Sequence, residues 1–401
     1  MCIRDSGWSS RAVRLLCSEN DQEALSLAEE ICAENEQRKK IENEIYESAW
    51  NYLTQNPQEL YHRVLVICGK DWRHGVIGIV ASRLTEKFGK PCIVCSDDGN
   101  EIRGSGRSIE GFPLFQAVCA CSQYLTKFGG HPMAAGLSMP PENLEDFRRT
   151  INAYAAENFP EMPVPVVRLE CKLNPAALSV EMAKYISFLE PFGTGNPSPV
   201  FGLYGMELKQ IVPVGEGKHL RLVFGRDGTE IRCMKFRTTP EECPYAPGDK
   251  LDLAVTLEAK EFRGEASLSL QIKDWKLSGM DVDHLVSQYQ CYEKYHRQEQ
   301  LSEQEADWLS PTREDFAAVY RFLRMKNGWR QSAILLLARL QTDTIGLAKL
   351  LVILEVLQEH RLINYDRNGE TVQVALCKTE GKVDLFQSEI LQKINNLRAV
   401  R

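Results

Sequence analysis

The residue pattern of this chain changes once, at residues 161–165 (EMPVP), and that change limits what it can fold into. Before it, between residues 60 and 160, short apolar runs alternate with helical repeats. Residues 64–68 (VLVIC) and 91–96 (PCIVCS) read as buried strands, and 76–88, 114–125 and 144–159 read as helices. Such alternation predicts a mixed or parallel sheet with helices packed on it. After the break, residues 166–172, 200–214, 219–224, 230–235, 250–259 and 266–275 carry period-two stretches, with a helical insertion at 174–189. Glycine turns at Gly215-Glu216-Gly217 and Asp227-Gly228 separate several of them. About five or six antiparallel strands of this length suit a small closed barrel such as an OB-fold.

Helical stretches flank these two regions. Residues 19–54 read as one helix, because Leu25, Ala28, Cys32, Ile41, Ile45 and Ala49 recur at three- and four-residue steps. No Gly or Pro interrupts it, and Asn56-Pro57 stops it. A charged helix of this kind suits a connector between domains. Residues 281–304 are polar and spotted with aromatics, and read as a helical linker. From Pro311 onward, helices at 312–325, 332–340 and 347–360 precede a hairpin at 364–375 that turns at Asn368-Gly369. That order is the order of a winged helix. A last helix covers 383–397. The expected fold is therefore multidomain α/β + β: an α/β domain, an OB-like β-barrel and a C-terminal winged-helix-like α+β domain.

Composition excludes several classes. The 401 residues leave room for more than one core, and 43% hydrophobic residues rule out wholesale disorder. No apolar run reaches the roughly 20 residues a membrane span needs, and no basic-then-apolar leader opens the sequence. The thirteen cysteines are odd in number and scattered. Cys92 and Cys95 form a C-x-x-C, but no second pair stands at zinc spacing. Buried, reduced thiols are the preferred reading, a redox or metal role is the alternative, and a cytoplasmic location follows from the first. The net charge of −7 argues against a nucleic-acid partner only until it is located. Residues 18–50 hold ten acidic and three basic side chains, whereas 60–140 hold nine basic and six acidic ones.

Three short motifs carry chemistry. Gly104-Ser105-Gly106-Arg107-Ser108 reads as a turn that offers backbone N–H groups, hydroxyls and one guanidinium fork, a natural anion cradle. The plainer alternative is a tight turn with a surface arginine. It is neither a G-x-S-x-G elbow nor a Walker loop. Gly129-Gly130-His131 reads as a loop that frees an imidazole to donate to phosphate, or as a turn with a satisfied histidine. Asp71-Trp72-Arg73-His74-Gly75 stands between a strand and a helix, where a helix N-terminus attracts phosphate. In the β region, Arg221, Arg226, Arg232, Lys235 and Arg237 are interleaved with Phe224 and Phe236, which suits a single-strand groove or an ordinary barrel surface. No H-E-x-x-H, Asp-His-His run or other metal-spaced cluster is present, so the sequence identifies no catalytic or metal-ligating residue.

Taken in order, residues 72–81 (WRHGVIGIVA), 104–112 (GSGRSIEGF) and 128–137 (FGGHPMAAGL) resemble the RecJ family, the bacterial single-stranded-DNA-specific exonucleases of the DHH superfamily. The three motifs are similar to its DHHA1 domain. Residues 189–201 (LEPFGTGNPSPVF) are similar to the approach to its OB domain, and 311–397 more loosely to the extra C-terminal domain of Gram-positive members. The resemblance covers nearly the whole chain from about Gly7. It implies 5′→3′ degradation of single-stranded DNA in recombination and repair, with Mn²⁺ or Mg²⁺ held by a preceding DHH domain.

That domain's motif has no counterpart here. Residues 1–17 resemble its remnant, with a non-native start at 1–6, and 18–58 resemble the connector. The expected layout continues with DHHA1 at 59–160, OB at 166–280, a linker at 281–310 and the C-terminal domain at 311–401. The chain is expected to be an inactive fragment with no metal of its own. The resemblance assigns phosphate binding to Ser105, Arg107, Ser108, Gly130 and His131, the motifs themselves add Gly106, Gly129 and His74, and His131 is also a candidate assisting group. Arg221, Phe224, Arg232 and Phe236 would line the strand groove. Single-stranded DNA is the implied partner, with a single-strand-binding protein or a helicase beside it. The C-terminal domain would bind a partner or a duplex. A phosphodiesterase for short oligonucleotides or cyclic dinucleotides, and a non-catalytic single-strand-binding scaffold, are the competing readings.

Overall fold

The computed structural model describes residues 8–398 except 194, 263, 369–370 and 379–382. The expected non-native start at 1–6, and Gly369 of the expected hairpin turn, lie outside the described residues. The chain divides into two compact units. One comprises Met1–Pro165, Tyr289–Ala317 and Leu351–Arg401, the other Val166–Gln288 and Ala318–Leu350.

The first unit opens with α1 (Trp8–Cys17) and α2 (Asp21–Gln55). Asn20 caps α2 by accepting from the N–H groups of Gln22 and Glu23 at 2.9 and 3.1 Å. The expected apolar stripe is buried only in the second half of α2, at Ile45 and Ala49 with Leu53, while Leu25 and Cys32 are exposed. There follow β1 (Leu65–Lys70), α3 (His74–Phe88), β2 (Cys92–Asp97), β3 (Ile102–Arg107), α4 (Leu114–Cys119), β4 (Lys127–His131), β5 (Ala134–Met139) and α5 (Leu144–Asn158). The sheet order is β1-β2-β3-β5-β4, with β1 and β2 parallel and the other neighbours antiparallel. On one face, Leu65, Ile67, Cys92 and Val94 pack with α2 and α3. On the other, Val66, Ile93, Cys95, Ile102 and Leu137 pack with α4 and α5.

Two segments expected as loops are strands. Gly104-Ser105-Gly106-Arg107 lies in β3, the central strand, and Gly129-Gly130-His131 lies in β4, the edge strand. The glycines of β3 serve packing. A Cβ on Gly104 would come within 2.9 Å of Cys95 Sγ and Leu137 Cδ1, and one on Gly106 within 2.7 Å of Leu114 Cδ2.

The second unit contains β6 (Cys171–Lys172), α6 (Val180–Ser187), β7 (Phe201–Val214), β8 (His219–Arg226), β9 (Thr229–Lys235), β10 (Lys250–Phe262) and β11 (Glu265–Leu277). The strand expected at 166–172 shrinks to Cys171–Lys172. The order β7-β8-β9-β11-β10 closes through pairing of β10 with β7, which makes a five-stranded barrel. Its β9–β11 pair is parallel. Leu203, Met206, Leu208, Leu220, Leu222, Phe224, Leu251 and Leu253 fill the interior, and α6 adds Ala183. Asp227 and Gly228, at φ 52° and 79°, make the β8–β9 turn, the positive-φ pair that suits the strand twist.

The rest of the chain forms α7 (Val282–His296), α8 (Glu303–Leu309), α9 (Arg313–Lys326), β12 (Trp329–Ser332), α10 (Ala333–Leu340), α11 (Leu347–Glu359), β13 (Ile363–Asn368), β14 (Thr371–Leu376) and α12 (Glu389–Leu397). β13 and β14 pair antiparallel, so helices and a hairpin mix in this region. The helical linker expected at 281–310 comprises α7 and α8. Cys291, Tyr292 and Tyr295 are buried, because the aromatics recur on one face of α7. Tyr61 stacks on His296 at 3.9 Å, Lys90 Nζ meets Glu293 at 2.6 Å, and Arg63 holds Glu299 through both guanidinium nitrogens at 2.5 and 3.1 Å. Burial pushes the Lys90 ammonium down from its ordinary pKa, against the pull of Glu293.

The described cysteines are all free thiols. Cys92 and Cys95 are buried, burial pushing Cys92 up to about 12, whereas Cys17, Cys32 and Cys171 are exposed. Among the described residues, no helix is long and apolar enough to cross a membrane.

Candidate nucleic-acid interface

Strand parity builds the site. In β3, Ile102, Gly104 and Gly106 are buried, while Arg103, Ser105 and Arg107 point to the α3 side. Paired residues of antiparallel strands share a face, so each of these three heads a row across the sheet. Arg103 stands beside Ser138 and then Lys127, Ser105 beside Gly136 and then Gly129, and Arg107 beside Ala134 and then His131. α3 packs on β2 and β3. Beyond it the middle row is bare: Gly129 and Gly136 are exposed, and a Cβ on either would meet nothing within 4 Å. The result is a shelf of open backbone with Arg103 and Lys127 along one side and Arg107 and His131 along the other.

Arg107 is held in place. Its Nη1 donates to Ser105 Oγ at 3.2 Å and to Gly106 O at 2.8 Å. Partial burial lowers its pKa, yet a guanidinium stays charged in any working range. His131 is exposed, and its Nδ1 accepts from the Met133 N–H at 3.2 Å. Its proton therefore belongs on Nε2, which leaves that nitrogen as a donor. Arg103 is tied to Glu101 at 2.8 Å, an acid that competes with any arriving anion. A shelf with cations on both sides and no side chains on its floor admits a flat polyanion close to the backbone.

The structure separates the sequence-derived residues. Ser105, Arg107, Gly129 and His131 share the shelf. Gly106 faces the opposite, buried layer. Gly130 has no room for a side chain, since a Cβ would come within 2.3 Å of Ala134 O. Ser108 is not on the shelf. It is buried, its hydroxyl donates to Phe112 O at 2.6 Å, and its N–H donates to Met133 O at 3.0 Å, so it anchors the chain leaving β3. His74 is the exposed first residue of α3, and Arg73 makes no side-chain cap there. Sequence reasoning missed Arg103, Lys127 and Gly136. Treating 102–107 as a strand would have found Arg103, two residues before Ser105.

On the barrel, Arg221 and Arg232 are exposed on neighbouring strands, and Phe236 is 42% exposed with its ring edge-on to His219 at 5.2 Å. Phe224, expected as a stacking platform, is fully buried in the barrel core. It shares parity with Leu220 and Leu222, so of the two phenylalanines Phe236 is the exposed one. Arg226 is engaged internally, its Nη1 donating to Tyr204 O at 2.8 Å. Lys235 Nζ donates to Lys273 O at 3.2 Å. In the loop that includes 192–199, Asn196 Nδ2 donates to Leu189 O and Pro191 O at 2.7 and 3.1 Å, and Thr194 lies outside the described residues.

Comparison with known proteins matches residues 59–157 to the DHHA1 domain and 169–274 to the RecJ OB domain. The chain is 32% identical over 273 residues to the single-stranded-DNA-specific exonuclease RecJ of Bacillus subtilis (strain 168), covering 67% of this chain and 34% of that protein. It is 31% identical over 273 residues to the Escherichia coli (strain K12) protein of the same name, covering 66% of this chain and 47% of that one. The chain thus spans between a third and a half of these relatives' length. The crystal structure of RecJ from Thermus thermophilus in complex with Mg²⁺ matches with a TM-score of 0.57 at 26% identity, over 70% of this chain and 42% of that one. The Mn²⁺ complex from the same source matches with a TM-score of 0.56.

Proposed function

We propose that this chain, which carries a DHHA1 domain and a RecJ OB domain, is the substrate-binding portion of a 5′→3′ single-stranded-DNA exonuclease acting in recombination and repair. The glycine-floored shelf carries the reading. Phosphates of the strand lie over Gly129 and Gly136, bound by Ser105 at the head of that row and by Arg107 and His131 Nε2–H along one side of it. The barrel holds more of the strand, with Arg221 and Arg232 tracking the backbone and Phe236 stacking a base.

The solved relatives hold Mg²⁺ or Mn²⁺. In a whole protein of that kind such an ion would supply activated water and charge neutralisation for phosphodiester hydrolysis. The residues of this chain do not fit one: among those described, no three His, Cys, Asp or Glu side chains gather. No hydrolytic step is therefore assigned to them. What this chain's residues do is bind and orient phosphate, with His131 donating a hydrogen bond from Nε2.

For the C-terminal region, the order α9, β12, α10, α11, β13, β14 supports a winged-helix-like domain. Such a domain would bind a partner protein or a duplex. A single-strand-binding protein or a helicase is the class of partner that fits.

Fluorescence anisotropy with a labelled single-stranded oligonucleotide tests the reading. Log affinity should fall linearly with log salt at about 0.7 per contacted phosphate, and Mn²⁺ should release no nucleotides. The competing phosphodiesterase reading predicts a dinucleotide bound as tightly as the long strand, and that result would displace this one. The barrel opposes it, since a dinucleotide needs no strand-guiding surface.

A further inference from the structure

A cavity of about 380 Å³ lies outside the shelf, lined by Ile41, Glu44 and Ile45 of α2 and by Asp71, Trp72 and Arg73 of the β1–α3 loop. Its volume is within the range of small-ligand pockets. The loop is fixed: the Asp71 N–H donates to Asp97 O at 2.9 Å, and Asp71 adopts φ 54°. The Trp72 indole is fixed as well. It lies over Gly69, where a Cβ would come within 2.1–2.5 Å of three ring atoms, so one face is backed by the end of β1. Ile41 and Ile45 supply an apolar wall. Among the described residues, the side chains of Glu44, Asp71 and Arg73 have no hydrogen-bond or ion-pair partner.

A planar aromatic backed by the strand, an aliphatic wall and unpaired carboxylates match a nucleobase. The ring stacks, and the carboxylates accept from its N–H groups, as they do from exocyclic amino groups in base readout. A phosphate alone does not fit beside Glu44 and Asp71. Arg73 and His74 continue the same loop into the N-terminus of α3, which carries no side-chain cap, toward the sheet that bears the shelf. We propose that this cavity receives an unpaired base of the strand whose phosphates occupy the shelf, with Trp72 as the stacking residue. The proposal rests on the shelf being a phosphate site.

The test compares two oligonucleotides of equal length and charge, one of deoxycytidines and one with an abasic backbone. Trp72→Ala should weaken the deoxycytidine strand about tenfold, the size of one lost stacking contact, and leave the abasic strand unchanged. Trp72→Phe should restore most of the loss. Equal loss for both strands, or none for either, overturns the proposal. If Trp72→Ala does not fold, photocrosslinking decides on the unaltered chain. A strand carrying 4-thiothymine should crosslink to Trp72, and crosslinks confined to other residues overturn it. Failure of the abasic strand to bind the unaltered chain would instead sink the shelf reading, while the crosslink still reports on the cavity.

Discussion

The guanidinium of Arg107 lies against Gly78 of α3: a Cβ on Gly78 would come within 3.0 Å of Arg107 Nη2 and 2.9 Å of Ser105 Oγ. Glycine inside a helix costs about 1 kcal/mol relative to alanine, so its place in the middle of α3 needs a reason, and clearance for Arg107 is one. Gly78→Ala should leave the melting temperature unchanged or raise it while weakening single-strand binding about fivefold, roughly 1 kcal/mol of hydrogen bonding. Parallel losses in a thermal melt and an anisotropy titration would mean that Gly78 is ordinary packing.

Arg107 and Arg226 differ in what their guanidinium groups face. Arg107→Ala should lower affinity about tenfold, as for a lost hydrogen bond to a charged group. It should also flatten the salt dependence by about 0.7, one phosphate contact. Arg226→Ala removes a bond to Tyr204 O and should leave both quantities nearly unchanged. Salt titrations of the two variants decide; equal losses would make the shelf no more than a strand surface.

Phe224 and Phe236 separate stability from binding. Phe224→Ala opens a cavity in the barrel and should cost about 3–5 kcal/mol in urea denaturation. Phe236→Ala removes a half-exposed ring, so stability should hold while affinity falls by about 1–3 kcal/mol of stacking. A Phe236→Ala variant that binds normally removes the barrel's stacking platform from the account.

Glu299 makes the first unit sensitive to acid. Burial raises its carboxyl pKa, but hydrogen bonds from Arg63 and Arg297 outweigh burial and hold it below the ordinary 4.5. A carboxyl lowered on folding adds stability above the ordinary value and loses it as pH falls through the folded value. Glu299→Gln should therefore destabilise the protein at pH 7, and the gap from the parent should close below pH 4.5. A gap that stays constant from pH 7 to pH 3 in chemical denaturation would exclude this ion pair as the cause.

Much of the fold was legible in the residue order. The spacing of Ile45, Ala49 and Leu53, the Asn56-Pro57 stop, and the alternation of Leu220, Leu222 and Phe224 depend on local periodicity, which the sequence carries directly. The same alternation also places Phe224 in the core, in step with two leucines, although its neighbouring arginines had put it in the expected strand groove.

The glycine motifs were a different case. Gly104, Gly106 and Gly129 suggest turns by composition, since glycine is free to turn. Whether that freedom serves a turn or a close approach depends on what stands above the backbone. For Gly104 and Gly106 it is Cys95, Leu137 and Leu114; for Gly129 and Gly136 it is open space. The sequence by itself determined the two buried strands β1 and β2, the helices α2, α3 and α5 and the barrel strands, and it singled out motif residues without their faces. Only the tertiary structure decided which of them share a face. Neighbouring strands set that by register, and no residue encodes its partner across a sheet: Ser108 turns inward to Phe112, while Arg103 and Lys127 join the shelf through Ser138.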